Sequence, residues 1–581
     1  MDKLIVRPLK ESDISTVIII DALDECKDEE PASAILSVLG RFVSQIPKVR
    51  FFVTGRPESW IREGFRLPLL AEATDVFVLH NVEPNLVNND IRLFFKQSFL
   101  ELSRRQQELD DWPTREQLDL LCERAAGLFV YAAATIKFVD RRNNDPKEQL
   151  DRLLRSPENS AREGKTKLKA NTTLDSLYMT ILQEAFGDDD LEDDHKTRSI
   201  LGAVILAANP LSPSAIATLL GFGAKEVFLR LSSVHSLLIL QDDISQPVRP
   251  FHKSFPDFIV DKARCINKRF HISPPSHHPE LLAGCLELMN RMLEKNMCNL
   301  PDAVANREVD DLRERTKRHL NPALRYACKS WHKHLIDGHT VRRPAIASGL
   351  RQFLEKKFLF WLEALSVLGA AREAVGALDV TAKWLEASPT LDLAIDCFRF
   401  VMGFFEIIST SCPHIYHSAL PLSPRKSIVR GLYEPHARPL ARVVCGLSNS
   451  WESSIATMGF PSSIEIAVWS PCSRFIAISW RELQTTIAIL DAVTLERITT
   501  LESPLGTRQL IFSPNARLIT WIGTDPEQII SWDLQTGGLS HILRVERWLR
   551  LYSVANPLSP YLSATFSSAH MYILIQLKGG P

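Results

Sequence analysis

STVIIIDALDECKDEE, residues 15–30, decides how the first part of this chain is read. Four apolar residues, Val17 to Ile20, run straight into Asp21, Asp24 and Glu25. A continuous run rich in Val and Ile fits a central parallel strand covered on both faces. Ligands of open α/β sheets sit beyond the carboxyl ends of such strands, where carboxylates can hold Mg²⁺ and orient a water against a nucleotide phosphate. The same residues also read as a strand ending in a polar turn, with Asp24 and Glu25 capping the next helix.

Outward from this stretch the chain alternates strand and helix. PASAILSVLGRFVSQIP (31–47) reads as a helix opened by Pro31 and closed by Pro47. VRFFVTGRPE (49–58) offers a second apolar strand and DVFVLHNV (75–82) a third. Strand, helix, strand in this order predicts a right-handed crossover and a parallel sheet.

The totals bound the rest. With 581 residues, 45% hydrophobic and 24% charged, the chain fits three to five folded domains. A formal net charge of −1 gives no global pull toward nucleic acid or a membrane surface. Ten cysteines lie scattered with no C-x-x-C pair, which suits a reducing compartment, so a cytoplasmic location is expected. No apolar run reaches the ~18 residues of a membrane span. The best candidate, AAGLFVYAAATIKFV (125–139), carries Lys137 and reads as a buried helix.

Residues 86–185 are helical in texture, with a charged, loosely patterned segment at 140–172, and GDDDLEDDHK (187–196) reads as a solvated loop. Residues 199–262 give two helices separated by Asn-Pro, a third helix and two short extended pieces, a winged-helix pattern. No basic stripe marks these helices, so no nucleic-acid partner is expected. Residues 275–415 are almost wholly helical, with Trp331, Trp361 and Trp384 as core anchors, and SALPLSPRKS (418–427) breaks the pattern. The last 120 residues change period. Trp469-Ser-Pro and Phe512-Ser-Pro lie 43 positions apart, and Leu490-Asp491 and Trp532-Asp533 lie 42 apart. A repeat of ~40–45 residues ending in Trp-Asp marks four-stranded propeller blades. A degraded third copy is VANPLSPYLSATF (554–566).

Seven strings in order, VIIIDALDEC, FFVTGRPE, LDSLYMTIL, PFHKSFPDFIVD, LRYACKSWHKHL, FWLEALSVLGAA and CPHIYHSALPLSP, resemble the fungal NACHT-domain proteins with WD repeats, members of the STAND class of signal-transduction ATPases. By that resemblance IIIDALDE is the Walker B segment. Asp21 would assist Mg²⁺, and Asp24 and Glu25 would polarise the attacking water. TGRPE resembles the sensor segment, in which Arg56 would meet the γ-phosphate; the plainer reading of Arg56 is an ion pair with a nearby acid. In PFHKSF, His252 is the candidate to touch the bound nucleotide diphosphate; the plainer reading is a packing histidine.

The family binds ATP or ADP with Mg²⁺ through a phosphate cradle, G-x-x-x-x-G-K-[ST]. Only sixteen residues precede Val17, too few for a strand, that loop and a helix, so an N-terminally truncated module that holds no nucleotide tightly is expected. The one GKT, Gly164 to Thr166, has Asn159 where the cradle needs glycine and follows no strand. Loss of the first strand would leave FFVT or VFVL with an unpaired apolar edge, open to self-association. Two or three blades cannot close a propeller. Cys328, His332 and His334 read as structural, because positions i and i+2 of a helix face apart, and His277-His278 reads as a turn.

The expected fold is therefore multidomain and mainly α. It comprises a partial α/β P-loop NTPase sheet (1–85), a helical domain with a charged linker (86–185), a winged-helix-like domain (186–270), a helical domain (271–450) and an incomplete WD-repeat β-propeller (451–581). The expected function is a STAND/NACHT-type switch, or the remnant of one, unable to hydrolyse ATP alone and binding protein partners through its helical and WD-repeat parts. The alternative is a non-enzymatic interaction scaffold.

Overall fold

The computed structural model describes residues 15–26, 35–36, 39–40, 43–46, 48–66, 68–78, 82–105, 112–140, 144–155, 170–187, 191–302, 304–338, 344–386, 388–437, 443, 445–451, 460–470, 475–481, 485–492, 495–503, 507–512, 518–522, 528–533, 538–544, 562–566 and 573–577. The chain divides into two compact units, Met1–Phe77 with Ala456–Pro581, and Val78–Ile455.

In the first unit the β-branched run forms β1 (Thr16–Ile20), paired in parallel with β2 (Val49–Val53) so that Ile20 stands opposite Val53. Alternate residues of a strand point to opposite faces. Ile18, Ile20, Phe51 and Val53 turn toward Leu23, Leu36, Leu39, Ile46 and Ile61, the last on α1 (Ser59–Phe65). A short helix, α2 (Pro68–Ala71), adds Leu70 to the same cluster. The other face is open, with Val17 62% and Ile19 67% exposed, and Phe52 60%. The reading of β1 as a strand buried on both faces is thus corrected: the apolar run is covered on one side only among the described residues. The third strand read from DVFVLHNV is also absent at its described part. Asp75–Val78 forms no strand, and Val76 and Phe77 are exposed; residues 79–81 lie outside the described residues. High β-propensity does not make a strand without a ladder partner.

The second unit is helical. It begins with α3 (Pro84–Arg105), α4 (Arg115–Ala125), α5 (Phe129–Val139), α6 (Pro146–Arg155) and α7 (Ala170–Phe186). Thr114 opens α4 with a reciprocal cap: its hydroxyl accepts the Gln117 N–H at 3.2 Å, and the Gln117 side chain accepts the Thr114 N–H at 3.0 Å. Ala126 and Gly127, both at positive φ, close the helix. Thr114→Ala is expected to cost about 1 kcal/mol, measured as a fall in the urea midpoint. The buried helix read from AAGLFVYAAATIKFV is α5, with Tyr131, Ala132, Ala134 and Phe138 inside. In the charged segment 140–172, α6 was not expected; Leu150 and Leu153, three apart among charges, supply its buried stripe. Gly164–Thr166 lies outside the described residues.

α8 (Leu191–Leu206) is next. The acidic run read as a solvated loop is, from Leu191 on, its first turns. Acids suit a helix N-terminus, and Asp193 and Asp194 each pair with an arginine, Arg230 and Arg269. α9 (Pro213–Leu220) starts on a Ser212 cap with Pro213 at its first position and stops at Gly221, φ 73°. α10 (Ala224–Ser233), the two-residue antiparallel strands β3 (Leu238–Ile239) and β4 (Arg249–Pro250), and α11 (Ser254–Val260) complete the stretch.

The remaining helices are α12 (Pro274–Met292), α13 (Leu312–His319), α14 (Pro322–Asp337), α15 (Pro344–Lys356), α16 (Phe358–Val367), α17 (Arg372–Trp384), α18 (Leu391–Gly403), α19 (Phe405–Thr410), α20 (Leu420–Leu422) after a π turn at Ile415–Ala419, and α21 (Ile428–Tyr433). One hydrophobic core runs from Ile91 to Tyr433. Trp331 and Trp361 are fully buried in it and Trp384 packs against it. At Gly284 on α12, a Cβ would lie 2.5 Å from the Leu219 carbonyl oxygen, so α9 rests on bare α12 backbone there. No helix among the described residues is long and apolar enough to cross a membrane.

The two aligned C-terminal copies each form a four-stranded antiparallel sheet. The first is β5 (Ile464–Trp469), β6 (Phe475–Arg481), β7 (Thr485–Asp491) and β8 (Arg497–Ser503); the second is β9 (Thr507–Phe512), β10 (Leu518–Ile522), β11 (Gln528–Asp533) and β12 (Gly538–Arg544). The Ser-Pro step has a local reason. Ser470 closes the β5–β6 connection, its hydroxyl accepting the Phe475 N–H at 2.9 Å and its N–H reaching the Phe475 carbonyl at 2.8 Å. Leu510 and Phe512 of the second sheet share a core with Ala477, Ile487, Ile489 and Leu501 of the first. Of the degraded third copy, β13 (Leu562–Phe566) pairs with β14 (Ile573–Leu577); residues 554–561 lie outside the described residues.

Candidate functional site

Pairing of Ile20 with Val53 carries Asp21 to the level of Thr54 at the ends of the two strands. The Thr54 hydroxyl donates to Asp21 Oδ1 and accepts the Ala22 N–H at 2.8 Å, and the Thr54 carbonyl accepts the Leu23 N–H at 2.9 Å. Ala22 is left-handed, φ 53° and ψ 52°, a conformation costing a non-glycine residue roughly 1–2 kcal/mol. Three bonds to Thr54 offset that strain and fix a tight turn, Leu23–Glu25, directly after β1.

The three acids then diverge. Asp21 and Glu25 are exposed, and Asp24 is buried. Asp24 Oδ1 accepts the Arg56 N–H at 3.0 Å, and Arg56 Nε lies 3.7 Å from Oδ2. A buried carboxylate holding a backbone amide and a guanidinium pins the acid-bearing turn to the TGRPE segment, with the Arg56 side chain still 39% exposed. The expected polarising role of Asp24 and the phosphate contact of Arg56 thus meet in one ion pair, with Glu25 beside it in solvent. Asp21, Asp24, Glu25 and Arg56 are brought together; Thr54 and Ala22 were missed. The signal for Thr54 was its position one residue past a strand that must align with Asp21.

His252 belongs to the other unit. Its Nδ1 accepts the Ser254 N–H at 3.2 Å and lies 2.6 Å from the Ser254 hydroxyl, which is itself 2.7 Å from the Tyr178 hydroxyl. The ring is exposed and local, and its neighbour Phe251 carries the Lys137 ammonium 3.5 Å above its ring.

His277 and His278, read as a turn, lie instead inside α12, where Ser273 and two prolines open the helix. His278 is part of a buried relay. The Ala208 N–H donates to the Tyr326 oxygen at 3.0 Å, and the Tyr326 hydroxyl is 2.7 Å from His334 Nε2. His334 Nδ1 is 2.9 Å from His278 Nδ1, and His278 Nε2 faces Asp337 at 3.8 Å. With both rings neutral the two short contacts each have one donor and one acceptor, tyrosine to His334 and His334 to His278, and His278 Nε2 is left facing Asp337. Burial pushes the His278 pKa down, which keeps that state. His332 points elsewhere, 3.6 Å from Glu373, and burial, with the neighbouring Lys333 charge, pushes its pKa down to about 4. Among the described residues no group of three or more His, Cys, Asp or Glu is arranged to hold a metal ion.

A second buried acid stands on α16. Glu363 accepts the Asn296 N–H at 2.7 Å, the Tyr416 hydroxyl, and the Cys412 thiol at 3.8 Å. Burial pushes its pKa up to about 7, against the pull of those bonds and of Lys295.

Residues 1–56, which end at Arg56 and so contain β1, the acid turn and β2, match the family model described as Nephrocystin 3, N-terminal. The chain is also similar to the vegetative incompatibility protein HET-E-1 of Podospora anserina, 23% identical over 492 residues, an alignment that takes in 80% of this chain and 34% of that protein. The chain thus spans about a third of the length of the curated relative it matches.

Proposed function

We propose that this chain is part of a STAND/NACHT-type signalling switch, in which an acid-bearing turn after β1 is the metal side of a nucleotide site and the helical and repeat regions hold protein partners. The observation that carries the reading is the turn itself, strapped to the end of β2 by Thr54 and by the Asp24–Arg56 pair. Asp21, exposed and bonded through one oxygen, suits a hydrated Mg²⁺, which keeps several waters and takes one or two carboxylates. Glu25, exposed beside it, is the candidate to act on a water.

The phosphate side does not fit. No G-x-x-x-x-G-K-[ST] occurs in the 581 residues, and the Arg56 guanidinium is shared with Asp24. No catalytic step can be built from the residues present, and these residues alone do not turn over ATP. In this reading 199–262 is a winged helix, the two four-stranded sheets are WD-type blades, and partners dock on the helical and repeat regions. The open apolar face of β1 and β2 is a place for self-association.

Two arms test this. In thermal unfolding, a ligand at 100 times its Kd stabilises by about 2.7 kcal/mol; ATP with Mg²⁺ is expected to give no such shift, and micromolar binding lost in Asp21→Ala and Arg56→Ala would overturn the inactivity. Mn²⁺ binding followed by water-proton relaxation is expected to weaken in Asp21→Asn. Equal binding by the two proteins would favour a scaffold with no nucleotide history.

A further inference from the structure

The second unit holds a cavity of about 270 Å³ between α8, the loop after α11 and the start of α12. Its wall carries His195, Arg198, Lys268, His271 and His277, opposed by one carboxylate, Glu280. Glu280 is already engaged, accepting the Ser199 hydroxyl at 3.3 Å. The cations are not: Arg198 spends one Nη1 hydrogen on the Lys268 carbonyl at 3.1 Å, and among the described residues no ion pair engages Arg198 or Lys268. The histidines are held in place by backbone. His277 Nδ1 faces the Ser273 carbonyl at 3.0 Å and His271 Nε2 the Val260 carbonyl at 3.2 Å, so each ring spends an N–H on backbone.

A concave wall with two permanent cations offers N–H donors to the acceptor oxygens of a phosphoryl group, for which arginine's fork is well shaped. A second cavity of about 540 Å³ adjoins it, sharing His195, Ser199 and Glu280. Its charges balance, Lys196 and Arg291 against Glu280 and Glu287, and Leu219, Leu220, Phe222 and Leu288 line it. The cation excess therefore sits in the first cavity and the apolar surface in the second.

We propose that the two cavities form one site for a phosphate monoester, with the phosphoryl group at Arg198 and Lys268 and an apolar organic part against Leu219, Phe222 and Leu288. The site is separate from the β1–β2 turn in sequence and in chemistry.

Calorimetric titration of the full chain with phenyl phosphate, and with inorganic phosphate as the head alone, tests this. The expected result is saturable binding of both, phenyl phosphate about tenfold tighter, with both weakened about tenfold or more in Arg198→Gln with Lys268→Gln. Arg56→Gln is expected to bind as the parent does. Thermal unfolding without ligand shows whether the double variant folds, and Lys268→Gln alone, at an exposed loop position, carries the same test if it does not. Absence of saturable binding, unchanged affinity in the cavity variants, or loss in Arg56→Gln would overturn the site. Equal affinity for the two probes would overturn the role of the apolar half.

Discussion

Glu363→Gln is expected to leave stability unchanged at pH 4 and to raise it by about 3 kcal/mol at pH 8. The folded state holds this carboxyl protonated up to about 7, against an ordinary value of 4.5. Below 4.5 both folded and unfolded chains carry the proton, so the group contributes no difference. Between 4.5 and 7 the folded state binds more protons than the unfolded one, and stability falls as pH rises; above 7 the full cost of a buried charge is present. Glutamine mimics the protonated acid, accepting the Asn296 N–H and donating to the Tyr416 oxygen, and removes that slope. Parallel urea titrations of parent and variant at pH 4, 6 and 8 read the effect as a difference, in which the titration of His332 cancels. Identical pH profiles would show that Glu363 is not a buried neutral acid.

The second large effect is in the aromatic centre of the helical unit. Trp361 meets Trp331 and Phe353 edge-on, at 5.9 and 5.5 Å between ring centroids, and its Nε1–H donates to the Cys328 carbonyl at 2.9 Å. Trp361→Ala leaves a cavity among rings that cannot collapse together and should cost about 3–5 kcal/mol. Trp361→Phe keeps most of the volume, loses the hydrogen bond, and should cost about 1–2 kcal/mol. Urea unfolding followed by circular dichroism is expected to show the midpoint falling in that order at an unchanged slope. A loss under about 1 kcal/mol for Trp361→Ala would contradict the core described for α14, α15 and α16.

Helix boundaries were legible where local chemistry sets them. Ser212-Pro213 opens α9 and Asn321-Pro322 opens α14, Gly221 ends α9, and the Trp-Asp spacing sets two four-stranded sheets. Period alone misled where burial depends on a partner. VIIID reads as a strand covered twice over, and VFVL as a strand, because β-branched and aromatic residues carry the same signal whether or not a neighbour arrives. GDDDLEDDHK reads as loop because its charges have no visible partners in sequence; Arg230 and Arg269, more than thirty residues away, pair with Asp193 and Asp194 in the first turns of α8.

The candidate site was legible as residue types and not as geometry. The acids and Arg56 stand together, yet which acid is buried depends on the left-handed Ala22 and on Thr54, neither of which a motif names. Likewise the strings that carry the family resemblance meet in pairs across the fold. Tyr178 touches Ser254, Trp361 the backbone of Cys328, and Glu363 the hydroxyl of Tyr416. Buried polar residues need specific partners, which no spacing along the chain reveals.

The proposed reading sets metal-side carboxylates in a chain whose 581 residues contain no G-x-x-x-x-G-K-[ST], and from it no ATP turnover is expected. Phosphate release from ATP by the purified chain, with Mg²⁺ and alongside Glu25→Gln, tests that claim most directly. The same background rate is predicted from both proteins; sustained turnover by the parent that disappears in Glu25→Gln would contradict it.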